Sequence, residues 1–195
     1  IATATAAANN TGPYCAGQTI QLNGTAGATY TWTGPGFNSN LQNPTIAGAT
    51  TAMAGTYNFT VDFGGCQANG STNVTVNALP TPTAANNGPL CEGATLMLAG
   101  SPAVTYTWTG PNSFGSPLQS PNINNVTLAA NGTYTFAVTD ANNCSNSITT
   151  NVVINSNPTP VVNNPSLCEN QTISLTANGG STYNWSGPGG FTSNL

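Results

Sequence analysis

Apolar and polar residues alternate over short stretches of the chain, and the alternation recurs. Tyr57, Phe59 and Val61 fall on one side of an extended segment, with Asn58 and Thr60 on the other. Shorter versions occur at Ile20 and Leu22, at Leu96 and Leu98, at Ile173 and Leu175, and at Val74 and Val76. A period of two predicts strands that bury one face. Gly, Pro, Asn and Asp separate these stretches and read as turns. No segment sustains helical periodicity, so the expected class is all-β.

The same pattern returns at a fixed interval. Tyr-x-Trp occurs at Tyr30 and Trp32, at Tyr106 and Trp108, and at Tyr183 and Trp185, each followed by Gly-Pro and a Phe (Phe37, Phe114, Phe191). Gly55-Thr56-Tyr57-Asn58-Phe59-Thr60-Val61 matches Gly132-Thr133-Tyr134-Thr135-Phe136-Ala137-Val138. A period of about 77 residues exceeds a solenoid repeat and suits one small β domain. The expected organisation is the end of a preceding repeat at 1–2, repeat 1 at 3–79, repeat 2 at 80–157, and the N-terminal part of repeat 3 at 158–195. On this reading the sequence is a segment of a longer array. Pro80-Thr81-Pro82 and Pro158-Thr159-Pro160 follow the last strand of each repeat as short stiff joints.

Charge narrows the function. The 195 residues include no Lys, Arg or His and four acids, Asp62, Glu92, Asp140 and Glu169, for a net charge of −4. Without cations to neutralise phosphate, nucleic-acid binding is excluded, and attraction to anionic membrane surfaces goes with it. The four acids lie far apart in sequence and His and Lys are missing, so general acid–base catalysis lacks its usual groups. The reading is non-enzymatic, with no cofactor and no metal. No apolar run reaches the length of a membrane span, so direct membrane insertion is not expected. At 38% hydrophobic, with three Trp, six Tyr and six Phe, the chain nevertheless has enough apolar material for compact domains.

The five cysteines follow the repeat. Cys15, Cys91 and Cys168 each precede the first alternating stretch, and Cys66 and Cys144 follow the Tyr-x-Phe-x-Val strand. A pairing that recurs in register suggests disulfides Cys15 to Cys66 and Cys91 to Cys144, with Cys168 left unpaired; five reduced, buried thiols are the alternative. Such bridges would shield about fifty residues of each domain from a stretching force. Trp32, Trp108 and Trp185 are read as core residues, one per domain, the alternative being an exposed sugar-stacking platform. Tyr57 and Tyr134 suggest a corner tyrosine at the start of the penultimate strand, and Phe59 and Phe136 take the place where an antibody domain carries its inter-sheet Cys. Ten Asn-x-Ser/Thr sequons are close to what this Asn-, Ser- and Thr-rich composition yields by chance.

Cys-x-Gly, Tyr-x-Trp-x-Gly-Pro, Gly-x-Tyr-x-Phe-x-Val, a second Cys, a Val-bearing strand and Pro-x-Pro together resemble the tandem Ig-like or PKD-like repeats of giant secreted surface adhesins of Bacteroidota, including gliding-motility adhesins. The resemblance implies immunoglobulin-like β-sandwich repeats, an extracellular cell-surface location, and export by type 9 secretion and outer-membrane machinery. It implies a stalk or adhesive filament segment whose partners are further repeats of the same chain and an unidentified surface or polysaccharide ligand. The alternative is a carbohydrate-binding accessory module of a secreted polysaccharide-degrading enzyme. Lateral self-assembly is a third reading, because four charges offer little repulsion between neighbours.

Overall fold

Short strands punctuated by Gly-, Pro- and Asn-rich turns account for nearly all the regular structure of the computed structural model, which describes residues 5–194. Ile1 and Ala2, assigned above to a preceding repeat, lie outside the described residues. Nine strands form the first unit: β1 (Ala8–Asn10), β2 (Tyr14–Cys15), β3 (Ile20–Gly24), β4 (Thr29–Gly34), β5 (Phe37–Ser39), β6 (Thr45–Ile46), β7 (Gly55–Asp62), β8 (Gln67–Val74) and β9 (Val76–Asn77). The second unit repeats them in the same order: β10 (Ala84–Asn86), β11 (Leu90–Cys91), β12 (Leu96–Gly100), β13 (Thr105–Gly110), β14 (Phe114–Ser116), β15 (Asn122–Ile123), β16 (Gly132–Thr139), β17 (Ser145–Val152) and β18 (Ile154–Asn155).

In each unit a three-stranded antiparallel sheet, β1-β3-β6 or β10-β12-β15, faces a four-stranded one, β5-β4-β7-β8 or β14-β13-β16-β17. After the first strand the chain passes a cis peptide, Gly12–Pro13 or Gly88–Pro89, and leaves the three-stranded sheet. It then pairs parallel with the end of the last strand: Tyr14 lies opposite Val76 and Cys15 opposite Asn77, while Leu90 lies opposite Ile154 and Cys91 opposite Asn155. An asparagine clips this crossing. The Asn10 Nδ2 donates to Thr72 Oγ1 and to the Asn73 carbonyl, and Asn86 does the same to Thr150 and Asn151. Two facing antiparallel sheets with a first strand that changes partner make each unit an immunoglobulin-like β sandwich.

The inward positions of the alternating stretches meet between the sheets. Ile20, Leu22, Trp32, Tyr57, Phe59, Val61 and Val74 form one core, and Leu96, Leu98, Trp108, Tyr134, Phe136, Val138 and Val152 the other. Trp32 and Trp108 have 0% exposure. Each packs on a Phe ring, Phe59 or Phe136, with centroids 4.6 Å apart. A glycine makes room for that Phe: a Cβ on Gly24 would meet the Phe59 ring at 2.4 Å, and one on Gly100 the Phe136 ring at 2.3 Å.

Among the described residues after Asn155, the strand pairings are short: β19 (Val161–Val162) with β20 (Ala177–Asn178) and β21 (Trp185–Ser186) with β22 (Thr192–Ser193). Trp185 is half-buried, and Ile173, Leu175 and Phe191 are exposed around a space of about 610 Å³. Among the described residues no helix is long and apolar enough to cross a membrane.

Candidate functional site

The disulfide of this chain joins Cys15 to Cys144, with Cα atoms 5.6 Å apart, and so links the first repeat to the second. Cys66, Cys91 and Cys168 are free thiols, all exposed. This corrects the pairing Cys15 to Cys66 and Cys91 to Cys144. The reason lies in the strand register. Cys15 sits beside Asn77 at the end of the last strand, whereas Cys66 immediately precedes Gln67 at its beginning. About ten residues at ~3.3 Å each separate them by ~33 Å, while a disulfide needs Cα atoms within ~7 Å. Cys91 beside Asn155 and Cys144 before Ser145 are held apart in the same way. The leading cysteine and the hairpin cysteine therefore occupy opposite poles of each sandwich. When repeats follow one another, the trailing pole of one meets the leading pole of the next.

Both sides of the junction are organised locally. On the first repeat, Cys15 N donates to Gln18 Oε1 at 2.7 Å and Gln18 N donates back to the Cys15 carbonyl at 3.1 Å. Gly17 holds the left-handed position of this turn at φ 88°, where a Cβ would be strained. Ala16 N donates to the Asn77 carbonyl and fastens the turn to the last strand. On the second repeat, Asp140 shapes the hairpin between β16 and β17: its Oδ1 accepts from Asn142 N at 2.8 Å and Cys144 N at 2.9 Å, while its own N–H donates to the Cys144 carbonyl. Asn146 Nδ2 reaches the Pro80 carbonyl of the joint at 2.9 Å. A shallow cleft of about 350 Å³ beside the bridge has Gln18 and Leu79 on one wall and Asn143 and Ser145 on the other.

The equivalent hairpin of the first repeat is shaped by Asp62, whose Oδ1 accepts from Gly65 N at 2.7 Å and Gly64 N at 2.6 Å. These two bonds, that from Gly65 foremost, hold its carboxyl below the usual Asp range. The sequence showed these acids as isolated charges. Their common signal was a position four residues before a cysteine, in Asp62-x-x-x-Cys66 and Asp140-x-x-x-Cys144.

Tyr57 donates its hydroxyl to the Met53 carbonyl at 3.0 Å, and Tyr134 to the Ala130 carbonyl at 3.2 Å, the geometry of a tyrosine corner. Burial raises both phenol pKa values. Gln42 and Gln119, which sequence reasoning passed over, complete the core. Each accepts the buried indole N–H on its carbonyl at 3.1 Å, and each donates its amide to Gly24 or Gly100. Their signal was a Leu-Gln pair at the same place in both repeats. Among the described residues no group of three or more His, Cys, Asp or Glu is placed to hold a metal ion.

No protein-family description matches the sequence, and no curated protein does. Solved structures do. An amphioxus IgVJ-C2 molecule is 18% identical over 72% of this chain and 98% of its own, with a TM-score of 0.33. The three N-terminal domains of the highly immunogenic outer capsid protein (Hoc) of bacteriophage RB49 are 20% identical over 99% of this chain and 78% of theirs, at 0.38. Extracellular domains 3–5 of Drosophila OTK are 14% identical over 77% and 60%, at 0.42. The immunoglobulin-like assignment itself stands on the sheet order, the parallel first-to-last strand pairing and the tyrosine corner of this chain.

Proposed function

We propose that this chain is a segment of a non-enzymatic extracellular stalk or adhesive filament, in which immunoglobulin-like repeats are joined end to end. The observation that carries this reading is the Cys15–Cys144 disulfide, because it ties the trailing pole of one sandwich to the leading hairpin of the next. A covalent strap beside a short Pro-x-Pro joint limits hinge motion, which suits a spacer that must hold its length. Disulfides persist in oxidising compartments, which supports a location outside the cell. The finer form, a cell-surface adhesin of the gliding-motility type exported by type 9 machinery, draws on the Tyr-x-Trp-x-Gly-Pro and Gly-x-Tyr-x-Phe-x-Val pattern. Complete burial of Trp32 and Trp108 argues against a carbohydrate module built on a tryptophan platform.

Small-angle scattering tests the stalk. The oxidised chain should give the profile of two sandwiches in line, and Cys15→Ser should broaden the distribution of interdomain distances. A compact profile with the repeats side by side would overturn the proposal.

A further inference from the structure

We propose that Cys91 and Cys66 are the two open half-sites of the same inter-repeat disulfide, and that the partner of each is an adjoining immunoglobulin-like repeat, so that a tandem array carries a ladder of bridges skipping from repeat to repeat. This rests on the reading of the chain as part of such an array and adds its covalent connectivity.

The two repeats are copies of one another, yet their cysteines differ according to whether they are bridged. Cys144, the hairpin cysteine that meets another repeat, has 0% exposure, while its counterpart Cys66 is exposed. Cys15, the leading cysteine that meets another repeat, is half-buried, while its counterpart Cys91 is exposed. The backbone around each free thiol already has the bonded form. Glu92 N donates to the Asn155 carbonyl as Ala16 N does to Asn77, and Ala94 N donates to the Cys91 carbonyl as Gln18 N does to Cys15. Gly93 sits at φ 87° as Gly17 does at 88°. On the other pole, Phe63 N donates to the Cys66 carbonyl and Asp62 braces the hairpin, as Asp140 does around Cys144. Cys168 repeats the leading turn a third time: its N–H donates to Gln171 Oε1, Gln171 N donates back to its carbonyl, and Asn170 holds φ 67°.

Partners inside the same repeat are ruled out by the ~33 Å between its poles, and the bonded junction shows which partner fits: a leading cysteine takes the hairpin cysteine of the repeat that follows. Cys91 therefore takes a hairpin cysteine from a following repeat, and Cys66 a leading cysteine from a preceding one. Each bridge removes two protons and two electrons from two thiols. The acceptor is a disulfide donor, small-molecule or protein, which is attacked by one thiolate, resolved by the second, and released as two thiols.

Two extended chains supply the missing partners. In one, residues 1–195 are followed by a copy of residues 42–79, which completes the third repeat with a Cys66-type hairpin. In the other, residues 80–157 are placed ahead of residues 3–195, presenting a Cys91-type turn to Cys66. Both are refolded with oxidised glutathione, alkylated without reduction and mapped after chymotryptic digestion. The expected result is the Cys15–Cys144 bridge plus a new bridge between a Cys91-type and a Cys66-type peptide, with one fewer reactive thiol in the first chain than the three of the parent. Should the grafted third repeat not fold, the second chain decides, since its added repeat is complete. Cys15–Cys144 formed with Cys91 and Cys66 still reduced would overturn the ladder and leave the two-repeat stalk standing. Loss of Cys15–Cys144 as well, or a Cys91–Cys144 bridge within one repeat, would overturn both.

Discussion

Trp32, Phe59, Gly24 and Gln42 act as one group in the first core, and Trp108, Phe136, Gly100 and Gln119 in the second. The indole N–H is buried and needs an acceptor, which the Gln backbone provides, and the Gln side chain in turn satisfies the Gly carbonyl. No buried side-chain polar atom among the described residues lacks a partner. Because Phe59 fills the space above Gly24, the change Gly24→Ala forces a methyl group into the ring at 2.4 Å. Urea denaturation should show a loss of ~1–3 kcal/mol, the usual cost of overpacking. Gly115→Ala, whose nearest atom is 3.9 Å away, serves as the control and should leave the midpoint unchanged or slightly raised.

At the scale of the element, the hairpins carry both the cysteines and the acids. Asp62 has its carboxyl pKa lowered in the folded chain by the Gly65 and Gly64 N–H groups. A depressed carboxylate contributes stability that is present above its unfolded pKa and lost as pH falls through the folded value. The difference in stability between the chain and its Asp62→Asn variant should therefore be constant at neutral pH. It should shrink on acidification below the ordinary Asp range, as followed by denaturation at stepped pH. A difference that grows on acidification would refute the assignment. The opposite placement of the two cysteines along the last strand yields a sharper count. Alkylation of the unfolded, unreduced chain should label three thiols, Cys66, Cys91 and Cys168. Bridges within each repeat would leave one.

For the molecule as a whole, the bridge changes what a pulling force can reach. It spans 129 residues, so β3 to β16, the greater part of the two sandwiches, lie between its sulfurs, with β1 before Cys15 and β17 and β18 after Cys144. Stretching the oxidised chain from its ends should leave this stretch folded or looped, and reduction should release ~450 Å of contour at ~3.5 Å per residue. Release of only ~180 Å per domain would signal bridges inside the repeats instead. In a continuous ladder the shortest covalent path crosses from Cys15 to Cys144, runs about 24 residues to Cys168, and crosses again, so extension is confined to a small part of each pair of repeats. Charge governs encounters between molecules. With a net charge of −4 and a pI near 4.1, acidification removes most repulsion while Leu41, Val104 and Leu118 remain exposed. Light scattering should rise as pH approaches that value and fall again when it is raised.

Local pattern and periodicity are properties that a sequence carries without reference to distance. Alternation at Tyr57, Phe59 and Val61 specified a strand with one buried face, because side chains two apart point the same way whatever the surroundings. The recurrence of Tyr-x-Trp specified repeated sandwiches, and the absence of Lys, Arg and His left the chain without a cationic side chain. The partner of Cys15 was of a different kind. Pairing in register is satisfied equally by Cys66 of the same repeat and by Cys144 of the next, and sequence separation favours the nearer. Only the folded strands show that β8 and β9 run the length of the sandwich, with Cys66 before the start of β8 and Cys15, on β2, beside the end of β9, at opposite poles. The junction brings Cys15 and Cys144 within bonding distance because domains in series meet pole to pole, and no count along the chain contains that geometry.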